Sequence, residues 1–256
     1  MNPFWIVAII LGATVALLIV LLLLLVLFLW ICSLLVDPEK EYDRDSAFYR
    51  FLADSTIFWI IKLLRIRVHV TGLDKLPKDK KVLVVCNHRS NFDPIVTGYV
   101  MKKWNLAFVS KPSNFKIPIY GRIVKKCCYM AIDRVNPRNA ILTINRAAKL
   151  LEQQVVSIGI YPEGTRSKDG TLLPFHNGVF KIAKKAEKPV AVLCLAGTEQ
   201  ISGRTPFKAT DVYLDVLEVF SEETVKQSRT EQLGDTMREL VLNNLEKREK
   251  RWQKDT

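Results

Sequence analysis

The sequence predicts an α/β fold, a mixed and largely parallel sheet flanked by helices, preceded by an N-terminal transmembrane helix. Three observations carry this. Of the 38 Lys+Arg and 26 Asp+Glu in 256 residues, none lies in the first 36 positions. Beyond that point, short apolar or β-branched runs alternate with helical stretches, the order expected when helices pack on a mainly parallel sheet. Runs such as Val82-Leu83-Val84-Val85 are continuously apolar, which suits strands covered on both faces.

The uncharged run over residues 4–36 has Leu21 to Leu25 at its centre. As a helix rising ~1.5 Å per residue it would be about 50 Å long, against a hydrocarbon core of ~30 Å. One spanning helix is expected, with a tilt, an extension or a break near Gly12-Ala13-Thr14 taking up the excess. No Lys or Arg precedes the run and it is about twice the length of a signal-peptide core, so it reads as a retained anchor. Lys40, Arg44 and Arg50 follow it, which places the rest of the chain on the cytoplasmic side by the positive-inside rule. The stretch 57–65, Ile-Phe-Trp-Ile-Ile-Lys-Leu-Leu-Arg, is too short to span. It fits either a core helix or an interfacial one whose cations snorkel to headgroups.

The chain is therefore read as an anchor over 1–36, an amphipathic helical linker over 37–66, and an α/β domain over 67–256 ending in a basic helix. Strands are predicted at 82–86, 106–110, 129–132, 156–161, 190–196 and 212–220, and helices at 95–102, 138–152, 178–186 and 231–251. The 49% hydrophobic content excludes a disordered chain. Cys32, Cys86, Cys127, Cys128 and Cys194 have no paired spacing and read as reduced thiols, with Cys86 in the core. No Cys/His spacing suits zinc, and no metal or cofactor is expected. The net charge of +12 points to anionic partners. Residues 101–126 hold seven cations and no acid, interspersed with Trp104, Phe108, Phe115, Ile117 and Ile119. They read as one surface for anionic headgroups.

The chemistry concentrates in two loops that leave strand ends, where α/β sheets bind ligands. The first is Asn87-His88-Arg89-Ser90-Asn91-Phe92-Asp93-Pro94. If it turns back, Asp93 can hold one imidazole nitrogen of His88 and leave the other free as a base. Pro94 at a helix start also makes Asp93 a candidate N-cap. The second is Pro162-Glu163-Gly164-Thr165-Arg166-Ser167, which gathers backbone N–H groups, a hydroxyl and a guanidinium as a phosphate oxyanion requires. Glu163-Gly164 and Lys168-Asp169-Gly170 are also ordinary turn chemistry. Ile132-Asp133-Arg134 brings a further Arg to a strand end. His69, in a strand, and His176, in a loop, are placed outside the chemistry.

Asn-His-x-x-x-x-Asp-Pro followed ~70 residues later by Pro-Glu-Gly-Thr-Arg-Ser resembles the glycerolipid acyltransferase family, whose best-known members are lysophosphatidate acyltransferases. The resemblance covers roughly residues 65–220. Its blocks fall on His88 and Asp93, on Ile132, Asp133 and Arg134, on Glu163 to Arg166, and on Phe175, Gly178, Phe180 and Lys181. The chain departs from the family pattern at Cys128 and Ala131, and in the 192–196 run, which lacks an inner proline.

The resemblance implies acyl transfer from a thioester to the free hydroxyl of 1-acylglycerol-3-phosphate, giving phosphatidate. His88 would be the general base, Asp93 its orienting partner, and no acyl-enzyme would form. Arg166, Arg134 and Lys111 would clamp the acceptor phosphate, with Gly164 and Thr165 in the same turn. Glu163 would bind acceptor hydroxyls or, in the favoured reading, brace the loop. The co-substrate would be acyl-CoA or acyl carrier protein, and the bilayer would supply the lysophospholipid. Alternatives are a different lysophospholipid or amine acceptor, a His–Asp hydrolase, or a non-catalytic basic binder. No nucleic-acid motif is present.

Overall fold

A computed structural model describes residues 2–167 and 169–254, so Lys168 lies outside the described residues. The chain opens with α1 (Pro3–Leu34) and α2 (Ala47–Leu63), then β1 (Ile66–Thr71), β2 (Leu83–Cys86), α3 (Asp93–Val100) and β3 (Leu106–Ser110). It continues through α4 (Tyr120–Lys125), β4 (Met130–Ala131), α5 (Pro137–Glu152), β5 (Ser157–Ile160), α6 (Lys181–Ala186) and β6 (Val190–Ala196). The last elements are α7 (Ile201–Arg204), β7 (Thr210–Phe220), α8 (Glu222–Gln227) and α9 (Thr230–Lys254).

Seven strands form one sheet in the order β1-β7-β6-β2-β5-β3-β4. Strands β6, β2, β5, β3 and β4 run parallel, and the β7–β1 pair runs against them through the antiparallel β6–β7 contact. The mixed, largely parallel α/β sheet thus matches the expectation. Every residue of β2, β5 and β6 is buried. That is why these strands carry apolar side chains on both faces.

The strand order also locates the crevice. From β2 the chain moves to β3 and on to β4 at the sheet edge, then returns through α5 to β5 and through α6 to β6. Right-handed crossovers put α3 and α4 on one face and α5 and α6 on the other. The neighbours β2 and β5 therefore send their outgoing loops to opposite faces, and the gap between those loops is where open α/β sheets take ligands.

α1 is a continuous helix of 32 residues, about 48 Å long, with no break at Gly12. Only Cys32 and Ser33 are buried in it, where its end docks on the body. Among the described residues it is the one helix long and apolar enough to cross a bilayer. Tyr49 donates from its hydroxyl to the Cys32 carbonyl at 2.9 Å, tying the root of α1 to α2.

The 37–66 segment differs from the expectation. Residues 37–46 are not helical, the helix runs Ala47–Leu63, and Ile66 already belongs to the sheet. α2 is built into the body by Arg50. Its guanidinium bonds Asp45 at 2.9–3.2 Å, the Leu106 carbonyl at 2.7 Å and the Cys127 carbonyl at 2.9 Å. Tyr49, Leu52 and Ile61 are buried, as a core helix requires, whereas Phe51, Phe58, Trp59 and Leu63 on the other side of the helix are exposed.

The single cationic surface expected over 101–126 does not form. Lys102 and Lys103 precede β3, whereas Lys111 and Lys116 follow it. A five-residue strand, ~16 Å long, separates the two groups. Lys125 donates to the Pro38 carbonyl and Lys126 sits 4.1 Å over the Tyr42 ring, so both turn toward the segment leaving α1. Trp104 and Phe108 are core residues. The helix expected over 178–186 begins as a 3-10 turn, Asn177–Phe180, before α6.

Candidate active site

The expected site residues lie just past the carboxyl ends of the parallel strands: His88 after β2, Lys111 after β3, Arg134 after β4, and Glu163 to Arg166 after β5. His88 and Asp93 meet directly. The loop turns back so that His88 Nδ1 lies 2.8 Å from Asp93 Oδ2. A carboxylate there requires the proton on Nδ1, which leaves the lone pair on Nε2. Nε2 has no hydrogen-bond partner among the described residues, and the side chain is 18% exposed. It is the one open position of the dyad.

Asp93 is fully buried and does not cap α3. It is the first residue of that helix, and its side chain points back into the loop. Oδ2 also accepts from the Arg89 and Ser90 N–H groups at 2.6 and 2.7 Å, and Oδ1 accepts from the Thr198 hydroxyl at 2.5 Å. Both oxygens are thus engaged by the loop and by Thr198, and no N–H of α3 bonds them among the described residues. These bonds compensate a buried carboxylate that would otherwise be costly. Thr198, just past β6, escaped sequence reasoning because it lies 105 residues from its partner.

Asn87 anchors the same loop. Its side chain donates to the Leu195 carbonyl at 2.9 Å and accepts from the Leu195 N–H at 2.8 Å, extending the β2–β6 ladder by one step. The His88 ring stacks on Tyr161, centroids 4.4 Å apart at 20°, and Tyr161 stacks in turn on Phe108. Room for the stack comes from Gly159, where a Cβ would stand 2.7 Å from the Phe108 ring. The Tyr161 hydroxyl meets Thr97 Oγ1 at 3.2 Å, and burial pushes the phenol pKa well up.

The second loop is fastened to the first through the backbone of His88. Glu163 Oε1 accepts the His88 N–H at 2.6 Å, and the Ser167 N–H donates to the His88 carbonyl at 3.0 Å. Oε2 of Glu163 accepts the Leu173 N–H at 2.9 Å. Both oxygens of this buried carboxylate are thus committed to backbone, the geometry of a brace. Burial raises its pKa, against the downward pull of those two N–H groups. Gly164 sits at φ +69° with the His176 ring where a Cβ would be, so the turn needs glycine on both counts. His176 therefore packs against the site although it makes no bond to the dyad.

Arg134 reaches the same turn and donates to the Gly164 carbonyl. Thr165, Arg166 and Lys111 are exposed, and their side chains make no hydrogen bond or ion pair among the described residues. His88, Asp93, Glu163, Gly164 and Arg134 are thus joined by contact, and the other three only share the strand-end edge. His69 lies apart in β1, with Nε2 2.8 Å from Asp211 and its ring stacked on Tyr213.

The arrangement resembles known proteins. The acyltransferase family model matches residues 67–196. A chloroplastic 1-acyl-sn-glycerol-3-phosphate acyltransferase of Brassica napus is 34% identical over 136 residues, 53% of this chain and 39% of that protein. The enzyme of the same name from Salmonella typhimurium is 31% identical over 116 residues, 45% of this chain and 47% of its own. The match to the plant protein thus spans about two fifths of that relative's length. The crystal structure of the 1-acyl-sn-glycerophosphate acyltransferase PlsC from Thermotoga maritima superposes with a TM-score of 0.65 at 25% identity, covering 78% of this chain and 79% of that one. Because the family match runs from β1 through β6, and so takes in the strand ends that carry the dyad, Arg134 and the Glu163 turn, the chain belongs to the acyltransferase family.

Proposed function

We propose that the protein is a membrane-anchored acyltransferase that moves a fatty acyl group from an acyl thioester to the free hydroxyl of 1-acylglycerol-3-phosphate, giving phosphatidate. The observation that carries this reading is one open imidazole nitrogen, on a histidine fixed by a buried carboxylate, beside a turn whose Arg166 side chain has no partner among the described residues.

The chemistry follows from that geometry. The acceptor hydroxyl oxygen attacks the thioester carbonyl carbon while its proton passes to Nε2 of His88. The C–S bond then breaks, and the leaving thiolate takes the proton back from the imidazolium. Asp93 holds the tautomer and stabilises the imidazolium, and Tyr161 holds the ring plane. Such a positioned base contributes about 10²–10⁴-fold. The alcohol itself is the nucleophile, so no acyl-enzyme is needed. Arg166, Lys111 and the remaining N–H groups of Arg134 hold the acceptor phosphate, which brings the hydroxyl to His88 and lowers the entropic part of the barrier. Glu163 keeps the two loops in register.

The anchor suits substrates that reside in lipid. α1 spans the bilayer, the exposed aromatic side of α2 rests at its surface, and the domain faces the cytoplasm. The donor is acyl-CoA or acyl carrier protein, both anionic as the +12 net charge favours. The full chain in vesicles, supplied with acyl-CoA, should release thiol only when lysophosphatidate is present, with phosphatidate formed in equal amount. Thiol release without acceptor would make it a hydrolase. Release that depends on another lysophospholipid but not on lysophosphatidate would change the acceptor.

A further inference from the structure

A second apolar surface stands at the start of α5, on the same sheet edge as the site. Val135 is 93% exposed, Ile141 52% and Leu142 67%. The core side of this helix is formed further along, by Ala147, Ala148, Leu150 and Leu151, so its first turns overhang the body. Arg138 precedes Ile141 and Leu142 by three and four residues and so shares their side of the helix. From Arg134 to Lys149 the sequence contains no carboxylate.

Two contacts place this overhang. Arg146, one turn beyond Leu142, donates to the Tyr42 carbonyl at 2.8 Å and to Asp43 Oδ1 at 3.2 Å. Residues 42 and 43 belong to the short segment that leaves the root of α1, so α5 is strapped to the base of the anchor within ~6 Å of Leu142. At the other end, Arg134 touches the Gly164 carbonyl, so the patch adjoins the turn that faces substrate.

We infer that the start of α5, with Val135, Ile141 and Leu142 as apolar contacts and Arg138 as the cation beside them, is a bilayer-docking surface that rests on an anionic membrane at the mouth of the site. An apolar cluster rimmed by Arg, with the nearby Asp133 held by the Val135 and Asn136 N–H groups and the Asn139 amide and Asp43 paired with Arg146, matches the headgroup boundary of such a membrane, and continuity with the root of α1 brings that boundary within reach. Docking here sets the site against the lipid surface, and an acceptor enters without leaving it. The inference rests on the reading of α1 as a membrane span.

All five native cysteines are buried, so a cysteine introduced at the surface can be labelled selectively. The full chain carrying Leu142→Cys, Leu22→Cys or Asp79→Cys is labelled with an environment-sensitive fluorophore and reconstituted in vesicles of phosphatidylcholine with phosphatidylglycerol. Lipids with a quencher high on the acyl chain are then added. Asp79 is exposed before β2, at the opposite end of the parallel strands. Quenching at Leu142 and Leu22 but not at Asp79 is the expected result. Quenching at Leu22 alone overturns the docking surface and leaves the anchor standing, whereas no quenching at either overturns both. A fluorescence change at Leu142 that tracks protein concentration without quenching assigns the patch to a second copy and also overturns the inference. As a second readout, Ile141→Glu with Leu142→Glu should raise the apparent KM for a long-chain lysophosphatidate in vesicles by about tenfold, the weight of ~1.4 kcal/mol. The KM for a short-chain, water-soluble acceptor should stay within about twofold. Equal effects on both acceptors would overturn the inference.

Discussion

Two halves of the site are built on opposite plans. Around His88 nearly every polar atom is spoken for: Asp93 takes four donors, Glu163 holds two backbone N–H groups, and the His88 backbone is bonded on both its N–H and its carbonyl. Around Arg166 the reverse holds, since Arg166, Thr165 and Lys111 are exposed and their side chains make no such bond among the described residues. The rigid half suits a reaction step, because a base must be in place before the hydroxyl arrives. The open half suits a charged ligand that supplies the missing partners itself. The contrast teaches that a fixed dyad and a loose cationic rim are separable parts, and substitutions should separate them.

The largest effect is expected at the open nitrogen of the rigid half. His88→Ala should lower kcat by about 10²–10⁴-fold while the unfolding midpoint and vesicle binding stay near those of the unaltered chain. Turnover within tenfold of the parent would remove His88 as the base. Asp93→Asn should cost nearly as much, and it should also lower stability because an amide cannot accept from all four donors.

Glu163→Ala comes next and tests whether the fixed half is held from the second loop. It strips partners from two backbone N–H groups, a cost of about 1–3 kcal/mol in unfolding free energy, with kcat falling through the displaced His88. The sign of its pH dependence is set by burial. The folded pKa of Glu163 is raised, so the stability due to its neutral form is complete below the ordinary value of 4.5 and is lost as pH rises through the folded value. The alanine variant should lack that acidic limb in a plot of unfolding midpoint against pH.

Arg166→Ala should act on the open half alone. An exposed side chain without partners contributes within about ±0.5 kcal/mol to folding. The apparent KM for the lysophosphatidate should rise by about tenfold or more, as loss of a charge-assisted phosphate contact implies, with little change for the thioester. Equal effects on both substrates would deny it the phosphate.

This contrast also explains what could be read in the sequence. The dyad was legible because His88 and Asp93 are five residues apart in one loop after an apolar strand, and the Glu163 turn because it follows another. The partners that fix them were not. Thr198, Asn87 with Leu195, and Tyr161 with Phe108 meet only once β6, β2, β5 and β3 lie side by side. Asp93 looked like a helix cap because Asp-Pro is cap chemistry locally, whereas the loop turns back so that His88, Arg89 and Ser90 donate to Oδ2, and Thr198, from across the sheet, donates to Oδ1. The cations of 101–126 looked like one surface because charge was counted along the chain while β3 carries the chain across the sheet. Arg50 and Asp45 escaped for the same reason, since their clamp closes on carbonyls 56 and 77 residues beyond Arg50.

The smallest effect is expected from a probe of how tightly the rigid half is closed. Cys86 ends β2 directly beneath the dyad, and burial pushes its thiol pKa well up. Burial also pushes Cys127, Cys128 and Cys194 up to about 12. At pH 8 a thiol of that pKa is ionised to only about 10⁻⁴, and the thiolate is the reactive form. The folded chain should therefore show almost no reaction with a thiol reagent at pH 8, and all five cysteines should react together once denaturant unfolds it. Rapid labelling of Cys86 alone in the folded protein would mean that the dyad loop opens on its own. The base would then be held no more firmly than the Arg166 rim, and the division between a fixed half and an open half would fail at its centre.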